Sequence, residues 1–117
     1  MIYDDFVKLM IEQGKKIVPF NGNIPAKYPK FYSRFNPVRV YVEYDSNYIH
    51  LLPIDELEKM TKKYRNVECD LVFATCNSDP IFLKNGKVYT CEHGANNPKI
   101  EFLANSFEDF LKMVMRG

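Results

Sequence analysis

Long apolar runs, tryptophan and clustered glycines are all missing from this sequence of 117 residues. No apolar run approaches the ~20 residues that a helix needs to span a bilayer, so no membrane-spanning segment is predicted. The five glycines are isolated, and none forms the glycine-rich loops that cradle phosphate, which argues against nucleotide binding by those routes. Asp4 and Asp5 occupy positions where a signal peptide requires positive charge, and we therefore expect a cytoplasmic protein.

Cysteine is scarce, and the net charge is close to zero. Three cysteines, an odd number, fit a reducing compartment better than a disulfide framework. The net charge of +1 lacks the strongly basic character of nucleic-acid-binding domains, so no nucleic-acid partner is expected. The charge is uneven, however, because residues 43–79 contain eight acidic and four basic residues, a balance of −4. Such a segment either faces a basic partner or forms an ordinary solvated surface.

Length predicts one domain over residues 1–117, and the order of its predicted helices and strands makes it an α+β domain. Hydrophobic residues make up 46% and charged residues 26%, which is ordinary for a globular domain, and this length suffices for one core. Alternation of apolar and polar residues predicts a strand over 38–44. The apolar run 71–74 predicts a strand that is covered on both faces. Further along the chain, Asn85-Gly86 predicts the turn of a β-hairpin.

Four helical segments are also indicated. The first is expected to begin at Asp4 or Asp5, either of which can cap it. The second contains the aromatic stripe of 28–35, with Pro29 in its first turn. A third begins near Pro53 and Asp55, after the strand 38–44 and an expected return strand over 48–52, and the last is capped by Ser106. The predicted architecture is a mostly antiparallel central sheet flanked by about four helices.

The side chains with the strongest potential for chemistry are Cys76, Cys91 and His93. Thiolate and imidazole are the usual zinc ligands, but the spacing Cys-x14-Cys-x-His lacks the Cys-x-x-Cys unit of a structural zinc site. A cysteine nucleophile needs a base and a group that orients this base, and the only histidines are His50 and His93. Buried structural cysteines explain the pattern better, so we expect no metal, no cofactor and no enzyme activity. A small metal-binding protein or enzyme built on these residues stays as an alternative.

Asp79 lies in segment 77–80, at a junction between a loop and a strand. Its short side chain can bond nearby backbone N–H groups, which is a common structural role of aspartate in turns. A role in binding a partner is the alternative, and Asp45 and Glu92 are further acids at loop or edge positions.

Three segments carry a family resemblance. They are IPAKYPKF at 24–31, NSDPIFL at 77–83 with Val88, Tyr89 and His93 after it, and LANSFEDFL at 103–111. Together and in this order they resemble the SUKH superfamily, which includes a fungal cell-wall-synthesis regulator and many bacterial immunity proteins. The sequence departs from the family pattern at Ser78, where glycine is common, and at Asn36-Pro37, which replaces an Asn-Gly-Gly turn.

The resemblance implies an α+β fold with a central sheet, no catalysis and no cofactor. It also implies a binding module, most often an immunity protein that neutralises a toxin, frequently a nuclease, encoded beside it. We therefore predict a non-enzymatic protein that docks on a toxin domain. A regulatory scaffold that binds a cellular protein, with no toxin involved, is the alternative.

The predicted partner-binding residues combine acids of the segment 43–79 with tyrosines and with loop positions of the last hairpin. Acidic side chains would complement a basic nuclease surface, and tyrosine is enriched in interface hot spots. The predicted residues are Glu43, Tyr44, Asp45, Tyr48, Asp79, Tyr89, Glu92 and His93.

Overall fold

The computed structural model describes residues 1–116, which form seven strands and three α-helices. The strands are β1 (Lys16–Pro19), β2 (Phe35–Tyr44), β3 (Asn47–Leu51), β4 (Leu71–Cys76), β5 (Asp79–Lys84), β6 (Lys87–Thr90) and β7 (Glu101–Ala104). The helices are α1 (Ile2–Glu12), α2 (Leu57–Lys63) and α3 (Phe107–Arg116), and two 3-10 turns are formed by Lys30–Ser33 and Ile54–Glu56. Within 1–116, no helix combines the length and the apolar character required to cross a bilayer.

All seven strands form one sheet in the order of the sequence, from β1 at one edge to β7 at the other. Every neighbouring pair is antiparallel, so the sheet is a meander whose connections alternate between its two ends. The expected α+β class with an antiparallel sheet is therefore confirmed. The expected count of about four helices is too high, because residues 1–116 contain three α-helices.

The aromatic segment 28–35, expected as the second helix, forms only the 3-10 turn Lys30–Ser33. Pro29 precedes this turn with an extended backbone (φ −57°, ψ 144°), so it lies outside the turn and not in its first residues. Phe35 already belongs to β2. Too few residues therefore separate Pro29 from the strand for an α-helix to propagate.

β1 has no counterpart among the predicted strands, because its four residues are too few to show alternation. Its register with β2 is irregular between Lys16 and Val18, where two residues of β2, Pro37 and Val38, face one residue of β1. Pro37 thus lies inside a strand, although a proline at this position would also end the second helix expected from the sequence. Proline cannot donate to a ladder of hydrogen bonds, and such a bulge is where a strand tolerates it.

The two long helices begin in different ways. Ser106 caps α3 as predicted, since its Oγ accepts a hydrogen bond from the Asp109 N–H at 3.0 Å. The prediction that Asp4 or Asp5 caps α1 is wrong, because this helix begins at Ile2. Both aspartates lie in its first turn, where their charges favour the positive end of the helix.

Phe31 lies at the centre of an aromatic cluster that joins the first 3-10 turn to α1 and α3. Its ring is fully buried, and its centroid lies 5.9 Å from the ring centroids of both Phe6 and Phe107. Tyr3 contacts the same ring edge-on at 5.5 Å. These contacts hold α1 and α3 against each other.

β4 is buried on both faces, as its apolar run predicts. Leu71, Val72, Phe73 and Ala74 all have an exposed fraction of 0%, although successive side chains of a strand point to opposite faces. The Phe73 ring contacts α3, with its centroid 5.2 Å from that of Phe110. The centre of the sheet therefore forms the core on which the helices pack.

Thr61 links α2 to β4 through its hydroxyl group. Its Oγ1 accepts a hydrogen bond from the Val72 N–H at 2.9 Å and donates one to the Leu57 carbonyl at 2.8 Å. We expect Thr61→Val, which keeps the shape but not the hydroxyl, to lower the free energy of unfolding by about 1–3 kcal/mol, because the Val72 N–H loses its partner. Urea unfolding measures this loss. Thr61→Ser keeps the hydroxyl and should retain most of the stability, so equal losses in both variants would contradict the assignment.

Candidate functional site

Three connections meet at one end of the sheet, because a meander returns to the same end after every second strand. They are the turn 45–46 between β2 and β3, the turn 77–78 between β4 and β5, and the loop 91–100 between β6 and β7; we call this the loop end. The side-chain amide of Asn77 donates a hydrogen bond to Asn47 Oδ1 at 2.8 Å, which joins the two turns. All eight predicted partner-binding residues lie in these connections or within two residues of them.

Both short turns place non-glycine residues in the left-handed region of the backbone. The φ angle is 52° at Asp45, 64° at Ser46, 52° at Asn77 and 71° at Ser78. Two successive positive φ angles match the two-residue hairpin turn whose twist suits antiparallel strands. Glycine is common at position 78 in the family that the sequence resembles. Ser78 adopts the left-handed backbone conformation here, which costs glycine less energy than any other residue.

Asp79 anchors the loop between β6 and β7. As the first residue of β5, it accepts a hydrogen bond at Oδ1 from the backbone N–H of His93, at 2.9 Å. The same oxygen lies 2.7 Å from His93 Nδ1, so the imidazole is also held at the loop end. Glu92, one residue earlier, is exposed. Asp79 therefore has the structural role considered from the sequence, while 35% of its side chain stays exposed.

A groove of about 270 Å³ opens between the loop end and α3, and we call it the acidic groove. Its apolar lining combines strand residues with one residue of α3: Ile49, Ile81, Leu103 and Met113. Its charged lining consists of three carboxylates: Asp45, Asp79 and Glu101. Among residues 1–116, no lysine, arginine or histidine lines it. The groove therefore presents a negative rim over an apolar floor.

The predicted residues divide between the two faces of the sheet. Tyr44 and Asp79 line the acidic groove. Glu43 and Tyr48 lie opposite each other on β2 and β3, and they point to the other face because the residues next to them line the groove. Tyr89 also points to that other face, where its ring is half-buried against two aromatic rings. The predicted set therefore surrounds the loop end and does not form one flat patch.

Tyr41 and His50 form an aromatic pair that the predicted set does not contain. Their rings stack with centroids 4.3 Å apart, at directly opposite positions of β2 and β3. Burial lowers the pKa of His50, so the imidazole stays neutral at neutral pH and stacks as an uncharged ring. Tyr41 belongs to the alternating segment 38–44, but only the register of the strands reveals its neighbour.

A basic concavity of about 560 Å³ lies beside the loop end, at the end of α2. Lys62, Lys63 and Arg65 line it together with residues of the two nearest loops. This run of positive charge is visible in the sequence, but its position beside the loop end is not. The position follows from a contact in the fold, because the Tyr64 hydroxyl donates a hydrogen bond to the Ser78 carbonyl at 2.5 Å.

The cysteines are protonated thiols rather than thiolates. Burial raises the pKa of the Cys76 and Cys91 thiols, and the carboxylate of Asp79 raises both further. Burial is also the main cause that raises the pKa of Cys69 to about 11. In the part of the chain that the structure describes, no three side chains of His, Cys, Asp or Glu form a group that would hold a metal ion. This environment disfavours both zinc binding and nucleophilic attack, which require the thiolate.

The fold and the groove define an α+β protein with an antiparallel meander and an acidic groove at one end of its sheet. A model of the SMI1 / KNR4 family (SUKH-1) matches residues 19–113. The chain therefore belongs to this family, as the resemblance implies. The matched range includes every residue that lines the acidic groove. No curated protein and no solved structure matches the chain.

Proposed function

We propose that this protein is a non-enzymatic binding module, built as one domain, that neutralises a cognate toxin as an immunity protein. Membership in the SMI1 / KNR4 family supports a protein-binding role. The observation that carries the proposal is the acidic groove, in which three carboxylates flank an apolar floor at the loop end. Three of the eight residues predicted from the sequence, Tyr44, Asp45 and Asp79, line this groove, the others lie around the loop end, and we propose all eight as part of the interface.

The groove suits a long cationic side chain of the partner. Lysine and arginine carry an aliphatic stem and a charged head, so the stem would pack on Ile49 and Ile81 while the head meets a carboxylate. None of the ion pairs among residues 1–116 involves Asp45 or Glu101, so both carboxylates are free to pair with a partner. Arginine is also a frequent anchor in interface hot spots.

A nuclease is the class of toxin that suits this charge. Proteins that act on nucleic acids bind phosphates through clustered lysine and arginine residues, and such a surface is attracted to carboxylates. Docking of the loop end on that surface would cover the substrate groove of the toxin. The nucleic acid would then be excluded both by shape and by the negative charge that already occupies its site.

Exposed tyrosines would widen the interface on the other face of the sheet. Tyr48 is 59% exposed and Tyr41 is 46% exposed, and both lie next to Glu43 on that face. A partner that straddles the loop end would contact these rings and the groove together, and tyrosine supplies a large contact area at a low cost in entropy. Tyr89 has a smaller role, because its ring already packs against Phe102 and a further ring.

Co-expression with the product of the neighbouring gene tests the proposal. We expect the two proteins to purify as a complex, and we expect cells that produce the toxin to survive only when this protein is present. A neighbouring gene that encodes an unrelated cellular protein, bound without any toxicity, would favour the regulatory scaffold. Absence of both binding and rescue would contradict the proposal.

A further inference from the structure

The acidic groove and the basic concavity share a wall at the loop end. The turn between β4 and β5 contributes Asn77 to the lining of the groove and its neighbour Ser78 to the lining of the concavity. The same holds for the pair that anchors the next loop, since Asp79 lines the groove and His93 lines the concavity. A partner that covers the loop end therefore meets surfaces of opposite charge on the two sides of one turn.

Hydrogen bonds hold the walls of the basic concavity together. The side-chain amide of Asn66 donates to the Ala95 carbonyl at 2.6 Å, which joins the end of α2 to the loop between β6 and β7. The Tyr64 hydroxyl joins the same region to the turn between β4 and β5, through the Ser78 carbonyl. Because both bonds lie within the chain, the concavity is formed before any partner binds, and a preformed surface costs less to dock on.

The positive charges of the concavity have no counter-charge within the described residues. Lys62, Lys63 and Arg65 are exposed, and none of them belongs to an ion pair formed among residues 1–116. No aspartate or glutamate of the same range lines the concavity. The two lysines suit the negative end of α2, but this role does not account for Arg65 or for the absence of carboxylates. The surface fits a partner group of negative charge.

We propose that the partner carries an acidic segment beside its lysine or arginine side chains, and that the basic concavity binds this segment. The inference rests on the proposed function and deepens it, because it assigns charges of both signs to the toxin surface. A nuclease can present both, since carboxylates that hold divalent ions lie near the cationic groups that bind phosphate. Nucleic acid itself fits poorly, because a strand that crosses the shared wall would meet the three carboxylates of the groove.

Neutralising two cations of the concavity tests the sign of the partner's charge. Lys62→Gln/Arg65→Gln should weaken the toxin complex about tenfold in titration calorimetry, because charge pairs across the interface are lost. A partner that is basic throughout gives the opposite sign, since the loss of two repelling charges would strengthen binding. Lys84→Gln/Lys87→Gln removes the same charge at the end of the sheet opposite the loop end. This matched control should change the affinity by no more than about twofold.

Carbodiimide cross-linking of the complex identifies the groups that the lysines contact. The reagent joins an amine to a carboxylate only where the two are in contact. Lys62 or Lys63 should therefore become linked to an aspartate or glutamate of the toxin, while Lys84 and Lys87 should not. Mass spectrometry of the digested complex locates the linked residues, and circular dichroism shows that the variants are folded.

The outcomes separate this inference from the proposed function. Absence of a complex between the wild-type protein and the toxin would overturn both. A wild-type complex whose affinity is unchanged or increased in Lys62→Gln/Arg65→Gln would overturn the inference alone, and so would an equal loss in the control variant. Binding of a single-stranded oligonucleotide that this variant loses, with toxin affinity unchanged, would assign the concavity to nucleic acid instead. A tenfold loss together with the expected cross-links supports the acidic segment.

Discussion

Replacing Phe31 with alanine is expected to lower the free energy of unfolding by about 3–5 kcal/mol. The ring is fully buried and contacts Tyr3 and Phe6 of α1 as well as Phe107 of α3. Its removal leaves a cavity between elements that are far apart in the sequence, and the surrounding rings cannot close it without moving both helices. A typical small protein has a total stability of about 5–15 kcal/mol, so the loss is a large fraction of it.

Urea unfolding followed by circular dichroism measures this loss. Phe31→Leu keeps most of the apolar volume and should lose less than half as much stability. Ile11→Ala is the matched control on α1, because its side chain is 55% exposed, and it should change the stability by no more than about 0.5 kcal/mol. A loss below about 1 kcal/mol for Phe31→Ala would contradict the central position of this ring.

Neutralising two carboxylates of the acidic groove is expected to weaken toxin binding about 100-fold. The variant is Asp45→Asn/Asp79→Asn, and asparagine preserves the fold at both positions. It tolerates the left-handed backbone of Asp45, and its amide oxygen can still accept the hydrogen bond from the His93 N–H. The loss therefore reports on charge, and titration calorimetry measures it.

Asp55→Asn is the matched control for this experiment. Asp55 is an exposed acid of the same acidic segment, but it follows β3 and lies at the end of the sheet opposite the loop end. Its neutralisation should change the affinity by no more than about twofold. If the control weakens binding as much as the groove variant does, the overall charge drives the association and the groove does not.

The correct structural predictions came from sequence patterns that involve only a few neighbouring residues. Asn85 and Gly86 adopt φ angles of 53° and 80°, as the hairpin turn requires, and Ser106 caps its helix. The prediction for residues 28–35 failed because helical spacing of aromatic side chains also fits a single 3-10 turn that buries them. β1 was missed because a strand of four residues carries too little pattern.

For the candidate site too, the sequence revealed residues that stand out by their local pattern but not residues that are brought together by the fold. Asp45 and Asp79 were identified from turn positions that the sequence displays directly. Glu101 and Met113 were not, because they reach the groove only through the path of the sheet and the packing of α3. The stacking of Tyr41 on a histidine depends on strand register in the same way. Residues that act together at the loop end are therefore visible only once the topology is known.

Hydrogen–deuterium exchange of this protein, with and without the toxin, is the most direct test of the acidic groove as the binding surface. Binding should slow exchange in segments 44–47, 77–81 and 101–103, which contribute residues to the groove lining, because the partner excludes water from it. Exchange at residues 16–19 and 54–56, in β1 and the second 3-10 turn, should stay unchanged. Slowed exchange in those two segments alone, with the groove unaffected, would contradict the account.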